Sequence, residues 1–214
     1  GEKSSVGRGN ASFTSINIVR LALKAMKSKK TIEERKEVFF AEMDKIMSLT
    51  ANQLVERWEW QKTALAKQFP YVMKYLAEYN EGIKSSDKVE NIIKHFTLSI
   101  GFIGLAEALV ALTSTIDSEG NYVKGVHHGE SDEAQTLGIE IVRHMHLKCK
   151  EFSEKYDLNF GLIATPAEGL SHKFTDSEKK MFGHSRCTDR RSADRVRSAS
   201  RPNSRHASAA RTAQ

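Results

Sequence analysis

Several short stretches of this 214-residue chain carry side chains at spacings that could do chemistry. Residues 165–171 read Thr-Pro-Ala-Glu-Gly-Leu-Ser. Backbone N–H groups beside small residues, with a hydroxyl at Ser171, suit a phosphate; Thr165, Ala167, Glu168 and Gly169 precede it. A plain strand-to-helix connection accounts for the same residues. Asn10 follows Gly7-Arg8-Gly9, and a carboxamide donates and accepts hydrogen bonds without titrating. A turn asparagine after glycine is the plainer alternative. Gly101 and Gly104 flank a strand-to-helix turn, where close packing explains them better than a phosphate cradle. Glu107, one turn into that helix, complements the helix dipole. His127-His128 with Glu130 resembles a metal cluster. Adjacent histidines in an extended loop point opposite ways, so ordering of the loop or a helix N-terminus is the better account. Cys149 falls on an apolar helical stripe and reads as an inert core thiol. Cys187 is assigned no role.

Alternating strands and helices must position these groups. Ser12 to Ile18 alternates polar and apolar with β-branched residues, which predicts a strand. Val19 to Lys27 reads as a short helix. Thr31 and Glu34 form a capping box. Behind it Phe39, Met43, Ile46, Leu54, Trp58 and Leu65 keep helical spacing. That helix is expected to run to about Phe69, before Pro70. A second helix from Tyr71 to Tyr79 would complete a hairpin over about residues 31–82, packed on the outside of a larger domain. His95 to Ile100 is a second strand, followed by a helix from Leu105 to Leu112. Thr115 to Gly129 reads as a polar loop. Asp132 and Gln135 are expected to start a helix with Ile139, Val142, Met145, Cys149, Phe152 and Tyr156 on one stripe. Asn159 to Ala164 is a third strand. This order implies parallel pairing in an α/β barrel or doubly wound sheet.

The net charge of +6 is not spread along the chain. Residues 1–183 hold 25 basic and 25 acidic side chains, and residues 184–214 hold eight arginines, no lysine and two aspartates. This Arg/Ser-rich tail has too little apolar area to offset chain entropy and is expected to be disordered. A shifted reading frame explains its abrupt exchange of lysine for arginine better than a cloning scar or a nucleic-acid-binding tail does. The longest apolar stretch, Ile100 to Leu112, is too short and too interrupted for a membrane span. No signal-peptide core is visible at the N-terminus. Two cysteines make no disulfide framework, and a reducing, cytoplasmic setting is expected.

Three segments taken together resemble one family, the anaerobic glycyl-radical ribonucleoside-triphosphate reductases. They are Gly7-Arg8-Gly9-Asn10-Ala11-Ser12-Phe13-Thr14-Ser15-Ile16-Asn17, then Gly101-Phe102-Ile103-Gly104-Leu105-Ala106-Glu107-Ala108-Leu109 with His127-His128-Gly129-Glu130-Ser131, and Asn159 to Ser171. The resemblance covers about residues 6–183. It implies part of a ten-stranded α/β barrel and the reduction of ribonucleoside triphosphates to deoxyribonucleoside triphosphates by radical chemistry. It implies that Asn10 lies beside the ribose in the active site. It also implies that Thr165, Ala167, Glu168, Gly169 and Ser171 form the loop for the substrate triphosphate. The family continues Ser-Gly-Arg-Phe where this chain has Ser171-His172-Lys173-Phe174, and exchanging arginine for lysine loses a bidentate donor.

The parent enzyme is expected to use a glycyl radical, zinc and allosteric ATP or dATP. Its partners would be an S-adenosylmethionine-dependent activating enzyme and a second copy of itself. The thiyl cysteine, the glycyl-radical segment and the four-cysteine zinc knuckle have no counterpart here. The chain is therefore expected to hold no cofactor and to be inactive alone, its partial barrel leaving strand edges bare. A non-catalytic nucleic-acid-binding protein is the alternative, although the neutral body offers no basic stripe and the tail no aromatic residue for base stacking. An acyl-cleaving glycyl-radical enzyme is a third, less well matched by the first and third segments.

Overall fold

The fold was read from a computed structural model that describes residues 8–71, 82–166 and 168–183, with only the backbone at Glu168. β1 (Asn10–Asn17) runs directly into α1 (Ile18–Ser28), and α2 (Ile32–Gln61) follows. A 3-10 turn (Ala66–Gln68) and the four-residue α3 (Glu90–Ile93) lead to β2 (Thr97–Ile103) and α4 (Leu105–Thr113). The short strands β3 (Thr115–Ile116) and β4 (Tyr122–Val123) pair antiparallel inside what the sequence presented as a plain polar loop. α5 (Asp132–Tyr156), β5 (Asn159–Ala164) and α6 (Glu168–Phe182) complete the described residues.

The main sheet has the order β1-β2-β5 with both pairings parallel, as the strand–helix alternation predicted. Because strand side chains alternate, the register sorts them onto two faces. Ile16, Leu98, Ile100 and Phe102 turn to one face and are buried beneath α1, α2, α4 and α5 in a single core. Phe13, Ser15, Ser99, Gly101, Gly161 and Ile163 occupy the other. That second face is small and polar at its centre, and Phe13 and Ile163 stand exposed on it.

α2 is a core helix, not an outer appendage. Phe39, Met43, Met47, Ala51 and Leu54 have no solvent exposure, and their steps of four and three residues hold one stripe against the sheet and its helices. Periodicity shows that a helix has a buried face but not what covers it. The capping box at Thr31 and Glu34 is present. The helix ends at Gln61, well short of Phe69, because the following residues find tertiary partners. Ala66 N donates to Asp87 O at 2.8 Å and Val89 N to Ala64 O at 2.9 Å, and Ala66 is buried with Val89 and Ile92. Leu65, expected on the helical stripe, instead bridges Lys88. Past Tyr71, the second arm expected at Tyr71 to Tyr79 lies outside the described residues.

α5 also begins differently from expectation. Ser131 is its N-cap, accepting from Ala134 N at 3.1 Å, one residue before the expected Asp132. Its buried stripe is Leu137, Ile141, Met145, Cys149 and Phe152, while Ile139 is half exposed.

One buried charge ties α2 to the far end of α4. Arg35 is 3% exposed. Its Nε donates to Lys29 O at 2.9 Å, and its guanidinium reaches Leu112 O, Ser114 O and the Ser114 hydroxyl. The last carbonyls of a helix lack intrahelical partners and carry the negative end of its dipole. Arg35 satisfies them at α4, and burial pulls its pKa down. Arg35→Met keeps the aliphatic bulk and leaves these carbonyls unpaired. It is expected to cost about 3 kcal/mol of stability, read as a lower urea midpoint with an unchanged slope.

Candidate functional site

In parallel α/β sheets, loops at the C-terminal ends of the strands carry function, and three strand ends meet here. β1 ends at Asn17, whose side chain caps α1 by accepting from Arg20 N at 3.2 Å. β2 leads to Gly104, the left-handed N-cap of α4 at φ 89°. A Cβ at Gly104 would run into the Val19 side chain, so this glycine lets α4 pack closely on α1, a helix–helix contact where strand–helix packing was expected. β5 is extended by one bond, Thr165 N to Phe102 O at 3.0 Å, before α6 begins at Glu168.

Gly101 has a polar consequence that its spacing did not reveal. The Ser15 and Thr165 hydroxyls hydrogen-bond to each other at 2.8 Å across the middle strand. A Cβ at Gly101 would occupy the space of both oxygens. The glycine is therefore required for two hydroxyls from the outer strands to meet above β2. Each keeps capacity for a further hydrogen bond.

α6 is fastened to this edge by a buried carboxylate. Glu178 is 2% exposed. Its Oε1 accepts from Asn17 Nδ2 at 3.0 Å and Arg20 Nε at 2.8 Å, and lies 2.7 Å from the second Arg20 guanidinium nitrogen. That nitrogen also donates to the Ser177 hydroxyl at 2.9 Å. Gly169 and Ser171 lie in the first turns of α6, with open space around Gly169. Ala167 and the Glu168 side chain lie outside the described residues.

Asn10 lies at the other end of the sheet. It pairs with Thr97 at the start of β2, whereas Thr165 follows the Ile16–Phe102–Ala164 row. Six residues of strand separate them, roughly 20 Å. The expected site residues are therefore not one cluster but the two ends of a strip. The Asn10 amide nitrogen, in the orientation that the surrounding carbonyls require, donates to Thr97 O at 2.9 Å and Ser12 O at 3.0 Å. The Ser99 hydroxyl is 3.3 Å from the same side chain. Ser99, Ser15 and Thr165 carry the polar strip along the open face, with Gly101 and Gly161 leaving it shallow. Asn10 also borders a cavity of about 210 Å³ with Gln61, Phe69, Val89 and Phe96.

The other candidates take the plainer roles. His127 is a loop clasp: Glu130 accepts from its backbone N–H at 3.0 Å and lies 3.3 Å from its ring. Among the described residues no group of three His, Cys, Asp or Glu side chains could hold a metal ion. Among them, no helix is long and apolar enough to cross a membrane. Cys149 is buried, and desolvation pushes its thiol pKa up to about 11. Cys187 lies outside the described residues. Sequence reasoning missed Ser15, Asn17, Arg20 and Glu178. Asn17 gave a signal, standing directly before an apolar-periodic helix, but nothing marks Glu178 among the charges of a polar helix.

The described residues form a parallel sheet backed by helices, an α/β scaffold with polar groups on its open face and at its strand ends. The family model for anaerobic ribonucleoside-triphosphate reductase matches residues 2–208, and the chain belongs to that family. It is 27% identical to the anaerobic ribonucleoside-triphosphate reductase of Haemophilus influenzae over 83% of this chain and 23% of that protein. The Escherichia coli enzyme is 26% identical over 86% of this chain and 24% of its own length. The chain thus spans about a quarter of these relatives. The anaerobic ribonucleotide reductase of Thermotoga maritima in complex with dATP and CTP shares the fold at a TM-score of 0.58 and 16% identity, over 88% of this chain and 27% of that one.

The buried thiol gives a pH test. Its folded pKa is raised, so the native state favours the protonated form, and the unfolded thiol ionises first. Stability from Cys149 is complete below about pH 9 and is lost as the pH rises toward about 11. Cys149→Ala is expected to flatten that part of the stability–pH curve, measured by urea unfolding.

Proposed function

We propose that this chain is the part of an anaerobic ribonucleoside-triphosphate reductase that holds the substrate, in an enzyme converting ribonucleoside triphosphates to deoxyribonucleoside triphosphates in the cytoplasm. The observation that carries this reading is the Ser15–Thr165 hydroxyl pair over Gly101, set where β5 turns into α6. Hydroxyls and free helix-start amides are the donors a polyphosphate needs. Thr165, Ala167, Glu168, Gly169 and Ser171 belong to this phosphate end. Asn10, at the other end of the strip, lies farther from this turn than an extended triphosphate reaches from its ribose, so one nucleotide does not engage both, and the ribose role expected of Asn10 is not carried into this proposal. The three parallel strands would be part of the ten-stranded barrel.

The residues described do not fit the radical and zinc parts of the chemistry. Cys149 is sealed in the core with its thiol protonated, and no described cluster suits a metal. In this proposal the glycyl radical, zinc, allosteric ATP or dATP, the activating enzyme and the second subunit belong to the parent reductase, and this segment holds the substrate.

The test is equilibrium dialysis with CTP and with cytidine. CTP is expected to bind and cytidine to bind far more weakly. Thr165→Val, which keeps the shape and removes the hydroxyl, is expected to weaken CTP binding about tenfold, the worth of one charge-assisted hydrogen bond. Equal affinity for CTP in the wild type and in Thr165→Val would contradict the reading.

A further inference from the structure

We propose that Glu178 is a positioning residue that locks the rotation of α6 and so fixes its first turns, Gly169 to Ser171, at the strand ends. This rests on the phosphate reading of that turn. A carboxylate on the polar α6 would ordinarily face water, yet Glu178 is 2% exposed while its partner Arg20 is 36% exposed. Asn17 contributes twice: its oxygen starts α1 and its nitrogen holds Glu178. One side chain thus joins the end of β1, the start of α1 and the body of α6. Ser171 and Glu178 are seven residues apart, two helical turns, and share a face of α6. Fixing one fixes the direction of the other.

The grip passes through a single oxygen. Oε1 takes the donors from Asn17 and Arg20, while Oε2 has no partner among the described residues. A glutamine can place its carbonyl oxygen where Oε1 stands without displacing a partner of Oε2. The two substitutions at this position should therefore differ.

The experiment is hydrogen exchange by mass spectrometry on the full chain, together with CTP and cytidine binding, for wild type, Glu178→Ala and Glu178→Gln. In Glu178→Ala the amides of residues 168–182 are expected to exchange at least about tenfold faster, with those of β1, β2 and β5 unchanged. CTP binding should weaken by about tenfold or more with cytidine binding unaltered, and Glu178→Gln should retain most of both properties. If Glu178→Ala does not fold, Arg20→Gln, at a partly exposed position, provides the same contrast. Wild-type exchange in α6 of the alanine variant, or equal loosening of sheet and helix, overturns the lock. Loss of protection in α6 with unchanged CTP affinity overturns its coupling to the phosphate turn. If wild type binds no CTP, the phosphate reading fails by itself, and the exchange contrast alone decides whether Glu178 holds α6.

Discussion

The C-terminal edge of the sheet is organised around the absence of a side chain at Gly101. The middle strand of a parallel sheet is crowded on both sides, and a β-carbon at this position would fill the space where the Ser15 and Thr165 hydroxyls meet. With hydrogen alone on Gly101, the two outer strands are linked by side chains as well as by the backbone ladder. Thr165 is thereby held at the point where β5 ends, and its direction sets where α6 can begin. A hydrogen bond between two hydroxyls contributes only about 1 kcal/mol. Its importance is geometric, since it fixes the side chain that stands at the mouth of the turn.

The rest of the fold serves to keep that edge in place. The opposite face of the sheet packs Ile16, Leu98, Ile100 and Phe102 into one core with four helices. Burial of such side chains is worth about 1.5–3 kcal/mol each and far exceeds any single polar contact at the edge. The polar contacts choose among packings. Arg35 binds the end of α4 to α2, and Glu178 binds α6 to the junction of β1 and α1. Both are buried charges, costly if left unpaired, so each tolerates few alternative arrangements. Gly104 does the same with shape, admitting the Val19 side chain where another residue would exclude it.

Much of this was legible in the sequence where local rules govern. Asn159 to Ala164 is a strand with the expected bounds, Leu105 starts its helix as expected, and the Thr31–Glu34 box forms. Alternation of strands and helices correctly implied parallel pairing. The end of α2 was not legible, because pairing of residues 64–67 with residues 85–89 is a tertiary choice. Of the candidate site, the sequence offered residues but not their arrangement. The motifs marked Asn10 and residues 165–171, but their separation along the sheet emerges only from the register. Glu178 was invisible, since a carboxylate in a polar helix looks the same whether it faces water or a buried arginine.

The function proposed for this chain requires that the turn from β5 into α6 receive the phosphates of a ribonucleotide. An NMR titration of the ¹⁵N-labelled chain with CTP tests it most directly. Amide shifts are expected to concentrate in residues 165–171 and in Ser15 and Asn17 across the strand ends, saturating together. Shifts confined to the arginine-rich residues 184–214, with the strand ends unmoved, would contradict it and leave only attraction between a cationic segment and a polyphosphate.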